Sequence, residues 1–101
     1  MTISEFFHSK QRMAVACPTE DQAKKLLQRF MAHGHRYWSN GSRYDTGGNC
    51  WCHYKEDTCY SNRHSFCYRR YYETHGFTII PYETLVDDVP ALDFLFSFEN
   101  K

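Results

Sequence analysis

The sequence lacks long apolar runs. No stretch of the 101-residue chain approaches the roughly 20 consecutive apolar residues that a membrane-spanning helix needs. Its first residues, MTISEFFHSKQR, contain no apolar segment of the kind that a secretion signal carries. We therefore expect no membrane partner and a place in the cytoplasm, where disulfides are disfavoured. The odd number of cysteines, five, agrees with that expectation.

The chain also has no net charge, because 12 basic residues balance 12 acidic ones. The distribution is uneven: residues 36–70 carry six basic and three acidic side chains, and residues 71–101 carry one basic and six acidic ones. A neutral chain with an acidic end is not expected to bind nucleic acids in general. A local group of arginines can still hold a small anion.

The short motifs of the common enzyme classes are absent. The chain has no G-x-S-x-G of the serine hydrolases and no G-x-x-x-x-G-K phosphate loop. No local protease signature surrounds any of the cysteines, although a catalytic cysteine needs a base and an orienting group nearby. We therefore expect a protein that is not an enzyme and that needs no cofactor.

Aromatic residues are plentiful. Eight Phe, eight Tyr and two Trp make up 18% of the chain. That is more aromatic surface than a domain of this size needs for its core, and it indicates an interface or a stacking site.

Two segments have helical patterns. The sequence from Thr19 to Gln22, TEDQ, matches a capping box, in which the first and fourth side chains satisfy main-chain amides at a helix start. Apolar residues follow at helical spacing, and together with Gly34 as a left-handed cap they predict an amphipathic helix over about 19–33. A second, short helix is predicted over about 69–75, ended by Gly76.

The remaining apolar segments are typical of strands. We predict strands at 12–17, 35–39, 50–55, 58–60, 65–68 and 77–80. The order predicts a single α+β domain over residues 1–101, with an antiparallel β-sheet and one long helix packed on its face. The apolar run at 91–98 is either a last element of the core or an oligomer contact, and we expect a homo-oligomer.

Segment 49–68 concentrates the cysteines and allows two interpretations. Zinc needs four ligands, and this segment offers Cys50, Cys52, Cys59 and Cys67 together with His53 and His64. The spacing C-x-C-H contains no C-x-x-C knuckle. The other interpretation is that Cys50 and Cys52 fill the core side of a strand, with Trp51 and His53 facing outward.

The order of several motifs resembles that of small bacteriophage and prophage proteins. These motifs are CPTEDQAKKLL at 17–27, GHRYW at 34–38, YKEDTCY at 54–60 and YYETHGFTII at 71–80, and the resemblance covers roughly residues 12–85. The group includes anti-defence factors. Some are Thoeris anti-defence sponges, which capture cyclic ADP-ribose signals and some cyclic oligonucleotides, and others are anti-CRISPR proteins, which block an effector by binding its surface.

The first functional hypothesis is therefore a sponge for a nucleotide-type ligand. It requires aromatic faces that stack on a base and arginines that bind phosphate. The candidate residues are Trp38, Arg43, Tyr44, Trp51, Tyr54, Arg63 and Arg69. The alternative is that Trp38 belongs to the core and that the arginines form a solvated face.

The second hypothesis is an anti-CRISPR inhibitor that binds a host defence protein. Its acidic end would occupy a basic nucleic-acid channel, and an exposed tyrosine face would anchor it. The acidic residues are Glu83, Asp87, Asp88, Asp93 and Glu99. A third hypothesis is a small regulatory module stabilised by zinc.

Overall fold

The structure is a computed structural model and describes residues 1–44 and 48–87. Its helices are α1 (Ile3–His8), α2 (Glu20–Ala32), α3 (Trp51–Tyr54) and α4 (Arg69–Thr74). Its strands are β1 (Met13–Ala16), β2 (Thr58–Ser61), β3 (Phe66–Tyr68) and β4 (Thr78–Pro81). The predicted α+β class is confirmed.

The four strands form one sheet in the order β3-β2-β1-β4. The pairs β1–β2 and β2–β3 are antiparallel, but β4 runs parallel to β1, so the prediction of a wholly antiparallel sheet is wrong. The reason is α4, which lies between β3 and β4 and returns the chain to the end of the sheet where β3 began. A helical crossover of this kind makes the next strand run in the same direction.

Both faces of the sheet are covered, which explains the nearly continuous apolar run of β1. Val15 and Tyr60 contribute to a cluster with Leu26 and Phe30 of α2. The residues that alternate with them point to the opposite face, where Ala14 and Cys59 pack with Tyr72 of α4. We call these two sides the α2 face and the α4 face.

Helix α2 begins one residue after the predicted position. The Thr19 hydroxyl accepts a hydrogen bond from the Gln22 amide at 3.2 Å, as the capping box predicts. The reciprocal half differs, because the Gln22 side chain donates to the Glu83 carboxylate at 3.0 Å. Gly34 follows α2 with a φ of +90°, a left-handed conformation that glycine adopts at little cost.

Helix α1 was not predicted from the sequence, although a local signal for it exists. The Thr2 hydroxyl accepts from the Glu5 amide at 3.1 Å, and the Glu5 carboxylate accepts from the Thr2 amide at 2.8 Å, which completes a capping box. Ile3, Phe6 and Phe7 are buried at helical spacing. The helix has only six residues, too few for its periodicity to stand out.

Two predicted strands are wrong. Segment 35–39 makes only an isolated bridge, between Tyr37 and Arg43. Segment 50–55 contains the single turn α3, because Cys50 and Lys55 have left-handed φ values of +63° and +52° that reverse the chain at both ends. The apolar run at 91–98 lies outside the described residues.

Candidate functional site

A tight turn after α2 brings Trp38 and Arg43 together. The Gly41 amide donates to the Trp38 carbonyl at 2.9 Å, and the Trp38 amide donates to the Ser42 carbonyl at 2.7 Å. Gly41 has a φ of +90°, a left-handed conformation that glycine adopts at little cost. We call residues 38–43 the Trp38 turn.

The Trp38 turn is bound to the turn between β2 and β3. The Ser39 amide donates to the His64 carbonyl at 2.7 Å. The hydroxyl of Tyr44, next to the Trp38 turn, lies 3.2 Å from Nδ1 of His64. His64 itself has a φ of +60°, which is uncommon for a residue other than glycine. Segments at least 20 positions apart in sequence therefore form one wall.

These two turns enclose a cavity of about 340 Å³, which we call the Trp38 cavity. The lining residues are Trp38, Ser39, Asn40, Ser42, Arg43, Cys50, His64, Ser65 and Phe66. Small-molecule sites in proteins typically occupy about 300–1,000 Å³. The cavity therefore accommodates a group of the size of one nucleotide unit.

Aromatic rings form one side of the Trp38 cavity. The ring centroids of Trp38 and Phe66 lie 5.2 Å apart at 61°. Trp38 also packs edge-on against Tyr44 at 4.5 Å and stacks on Tyr60 at 6.1 Å. Core packing therefore holds the indole in place, while part of it lines the cavity. A fixed aromatic wall of this kind can stack on a base.

Cationic and polar groups form the remainder of the lining. Arg43 is exposed, and guanidinium groups recognise phosphate through paired hydrogen bonds. His64 is half-buried, and its pKa is lowered first by desolvation and second by the charge of Arg63. The hydroxyl of Ser42 is hydrogen-bonded to Asn40, and that of Ser65 to Ser61 and Tyr72. The arrangement can bind a base on one side and an anionic group on the other.

The structure brings together three of the seven residues predicted for ligand binding. Trp38 and Arg43 line the cavity, and Tyr44 lies directly behind the indole. Tyr44 is buried, which raises its pKa to about 12 and keeps its hydroxyl protonated. Its contribution is therefore to position Trp38 and His64.

The other four residues lie elsewhere. The Trp51 indole donates to the Cys17 carbonyl at 3.1 Å and packs on the core, which corrects the prediction that it faces outward. Tyr54 packs near Tyr68. Arg63 donates to the carbonyls of Ser9 and Lys10, and Arg69 pairs with Glu73 on α4.

His64 and Phe66 line the cavity but were not predicted as ligand-binding residues. A signal for Phe66 exists, because β3 alternates and Phe66 is the cross-strand partner of Tyr60 on the α2 face. The local sequence around His64 indicates a turn and no binding site. Its role depends on the Trp38 turn, whose position no local pattern indicates.

A larger cavity of about 660 Å³ lies along α2. Its lining includes Glu20, Asp21, Lys24 and Asn49. Two carboxylates repel a phosphate, and the side chain of Lys24 is the one basic group among the described lining residues. This cavity is the poorer match for an anionic ligand.

The four cysteines considered as zinc ligands do not come together. Cys59 and Cys67 are cross-strand partners on the α4 face, whereas Cys50 lines the Trp38 cavity and Cys52 is exposed. Burial raises the pKa of Cys59 to about 12, which opposes the thiolate that zinc requires. Within residues 1–44 and 48–87, no three His, Cys, Asp or Glu side chains could hold a metal ion.

A second surface consists of exposed and half-buried tyrosines beside the edge strand β3. The ring of Tyr68 lies 5.5 Å from that of Tyr54 and 6.1 Å from that of Tyr71. Tyr68 is 43% exposed and Tyr71 is 38% exposed. We call Tyr54, Tyr68 and Tyr71 the tyrosine row.

Comparisons with protein-family models, with curated proteins and with solved structures found no significant match to this chain. In the described part of the chain, no helix has the length and apolar character that crossing a membrane requires.

Proposed function

We propose that this chain is a phage-encoded anti-defence protein that sequesters a cyclic nucleotide immune signal in the cytoplasm of an infected bacterium. The signal is of the cyclic ADP-ribose type or is a cyclic oligonucleotide. The phage origin rests on the resemblance of the sequence motifs, and the comparisons supply no relative that tests it.

The observation that carries the proposal is the composition of the Trp38 cavity. It joins an aromatic wall, made by Trp38 and Phe66, to the guanidinium of Arg43. Cyclic nucleotides present the matching groups, which are bases with flat apolar faces and phosphates with fixed negative charge. The volume of about 340 Å³ suits one base with its phosphate, so a larger cyclic ligand would extend beyond the opening.

Sequestration is favoured over turnover by the groups that line the cavity. None of the described lining residues is a carboxylate, and His64, the lining residue that could serve as a general base, has its Nδ1 hydrogen-bonded to the Tyr44 hydroxyl at 3.2 Å. Cys50 is the one thiol among them, and burial together with the neighbouring Cys52 raises its pKa. A thiol held in the protonated state is a weak nucleophile. We therefore propose binding without chemistry.

Isothermal titration calorimetry tests the proposal. Cyclic ADP-ribose and a panel of cyclic dinucleotides are titrated into the purified protein, with adenosine as a reference that has the base but no phosphate. Saturable binding of a cyclic nucleotide that exceeds the binding of adenosine supports the proposal. The ligand is then recovered from the complex and chromatographed, and it should be unchanged.

Two results would contradict the proposal. If no ligand of the panel binds at millimolar concentration, the protein is not a sponge for these nucleotides. Conversion of the ligand during incubation would identify an enzyme instead. Native mass spectrometry of the same complex counts subunits and bound ligands, and it tests the prediction of a homo-oligomer.

The tyrosine row favours a second candidate function, an anti-CRISPR inhibitor that binds a Cas effector. Exposed tyrosines are common anchors at protein interfaces, because they bury a large area at low cost in conformational entropy. Tyr68 and Tyr71 provide two neighbouring anchors of this kind.

A DNA-cleavage assay with a purified Cas effector separates the two functions. If this function holds, the protein slows cleavage and the double variant Tyr68→Ala, Tyr71→Ala does not. The Arg43→Gln variant, altered on the Trp38 cavity, should inhibit as well as the unmodified protein. Cleavage that proceeds equally with and without the protein argues against the effector tested.

A further inference from the structure

We propose that the ligand places an anionic group between Arg43 and His64, and that binding takes up one proton from solvent at His64. This inference rests on the proposed function and deepens it. It assigns to the Trp38 cavity a subsite for a phosphate-type anion, and it makes the affinity for that anion depend on pH.

The position of His64 is the first support. His64 is among the residues that line the same cavity as Arg43. Phe7 stacks on it at a centroid distance of 5.0 Å and 14°. The main-chain carbonyl of His64 accepts the hydrogen bond from Ser39. Contacts of the ring and of the main chain therefore hold His64 in place beside the cavity.

The contact with Tyr44 allows the imidazole to exist in two charge states. When His64 is neutral with the proton on Nε2, the Tyr44 hydroxyl donates to Nδ1 across the 3.2 Å contact. When His64 is protonated, Nδ1–H donates to the Tyr44 oxygen and the hydroxyl rotates. The same pair of atoms thus keeps a hydrogen bond in both states.

The groups around His64 oppose its charge while the cavity is empty. Burial lowers its pKa, and the adjacent Arg63 lowers it further. Arg43 lines the same cavity, and His35 lies 5.6 Å from the imidazole, ring to ring. Among the described residues, Tyr44 contacts the imidazole and Cys50 lines the same cavity, and α1 presents the apolar ring of Phe7. The imidazole is thus mostly neutral at neutral pH.

An anion in the cavity reverses this balance. It offsets the desolvation cost of the imidazolium and supplies an opposite charge, both of which raise the pKa of His64. Since a group whose pKa rises on binding takes up protons, the affinity for an anion increases as pH falls. A neutral ligand would bind with equal affinity at both pH values. The pH dependence therefore reports the charge of the group that faces His64.

The first arm of the test is NMR titration of the histidine side chains with and without sulfate. Sulfate keeps its charge across the range, and sodium chloride at equal ionic strength is the control. The His64 resonance is identified by its loss in the His64→Asn variant, chosen because Asn tolerates a left-handed backbone. Sulfate should raise the pKa of His64 in the unmodified protein and have little effect on it in Arg43→Gln.

The second arm measures the affinity for 3′,5′-cyclic AMP and for cyclic ADP-ribose by calorimetry. The affinity should be roughly tenfold higher near pH 5.5 than near pH 7.5. His64→Asn should remove this difference. His35→Gln is the matched control, because His35 stacks on Phe7 at 3.7 Å but is not among the lining residues, and it should leave the difference unchanged.

The two arms distinguish failure of the inference from failure of the proposed function. Nucleotide binding that is independent of pH, with a His64 pKa insensitive to sulfate, would overturn the inference and leave the sponge function standing. A His64 pKa that rises with sulfate while no nucleotide binds would uphold the anion subsite and overturn the sponge. If neither responds, both are wrong. The inference would also be overturned if His35→Gln removed the pH dependence and His64→Asn did not.

Discussion

The Tyr44 hydroxyl lies 3.2 Å from Nδ1 of His64, and this contact joins segments that are 20 residues apart. The neighbouring main-chain bond from Ser39 to His64, at 2.7 Å, joins the same two segments. Together they hold the Trp38 turn on the turn between β2 and β3. The shape of the Trp38 cavity depends on this junction.

Tyr44→Phe tests the junction. The change removes one partly buried hydrogen bond but keeps the ring that packs on Trp38, so we expect the free energy of unfolding to fall by about 1 kcal/mol. Urea denaturation measures the loss. Tyr37→Phe is the control, because Tyr37 is 54% exposed and its substitution should change little. Equal effects of the two changes would argue against a junction role for Tyr44.

Arg43→Gln tests the anionic side of the cavity. Loss of a charge-assisted hydrogen bond to phosphate costs about 1.5–3 kcal/mol, which corresponds to a roughly 10- to 100-fold weaker affinity for a cyclic nucleotide. Calorimetry measures the affinity, and thermal denaturation should show little change in stability. Arg70→Gln, on the exposed surface of α4, is the matched control and should bind as the unmodified protein does. If both variants bind normally, the anion lies elsewhere.

Trp51→Phe separates a core role from a ligand role. The substitution removes the 3.1 Å bond from the indole to the Cys17 carbonyl and leaves space beside α2. We expect a loss of about 2 kcal/mol in the free energy of unfolding, from the hydrogen bond and the smaller ring together. Urea denaturation and calorimetry on the same preparation give both quantities. If Trp51→Phe weakens ligand binding without lowering stability, Trp51 belongs to the ligand site.

Asn62→Asp tests the attachment of the N-terminal segment. The buried Asn62 amide donates to the carbonyls of Phe6 and Gln11 at 2.9 and 2.8 Å, and its oxygen accepts from the Met13 amide. The carboxylate has nearly the same shape but cannot donate, so we expect a loss of about 3 kcal/mol or more. Thermal denaturation measures it. Gln28→Glu, an exposed change of the same kind, should be nearly neutral.

The empty protein should lose stability as pH falls through the ordinary histidine value of 6.5, partly because of His64. A histidine whose pKa is lowered by folding binds its proton more readily in the unfolded state. Its contribution to stability is therefore present above that value and decreases as pH falls toward the folded-state pKa. Since the chain has six histidines, the contribution of His64 is the difference between unfolding curves of the unmodified protein and His64→Asn. Identical pH dependences would contradict the lowered pKa.

Features that depend on nearby residues were predicted well. The boundaries of α2 follow from Thr19 and the spacing of its apolar residues, and α4 ends before Gly76 as expected. Strands β1 to β4 coincide with apolar or alternating segments. Helix α1 carries an equally local signal in Thr2 and Glu5, but its short length hid the periodicity.

Features that depend on distant partners were not predicted. The segment around Cys50 has the composition of a strand, yet the indole of Trp51 gains a buried partner at Cys17 only if the chain turns there. The direction of β4 follows from the crossover through α4. Cys59 and Cys67 were considered as zinc ligands together with Cys50, but they pack on the α4 face, whereas Cys50 lines the Trp38 cavity.

The sequence by itself determined the α+β class, the two main helices and the aromatic and basic character of the central segment, because each depends on periodicity, capping or composition within a short stretch. Only the tertiary structure decided which residues form the cavity. The sequence shows that aromatic and basic residues such as Trp38, Arg43 and Phe66 are present. They line one cavity with His64 only because the Trp38 turn contacts the β2–β3 turn. Such contacts depend on the packing of the whole chain, and no local pattern specifies them.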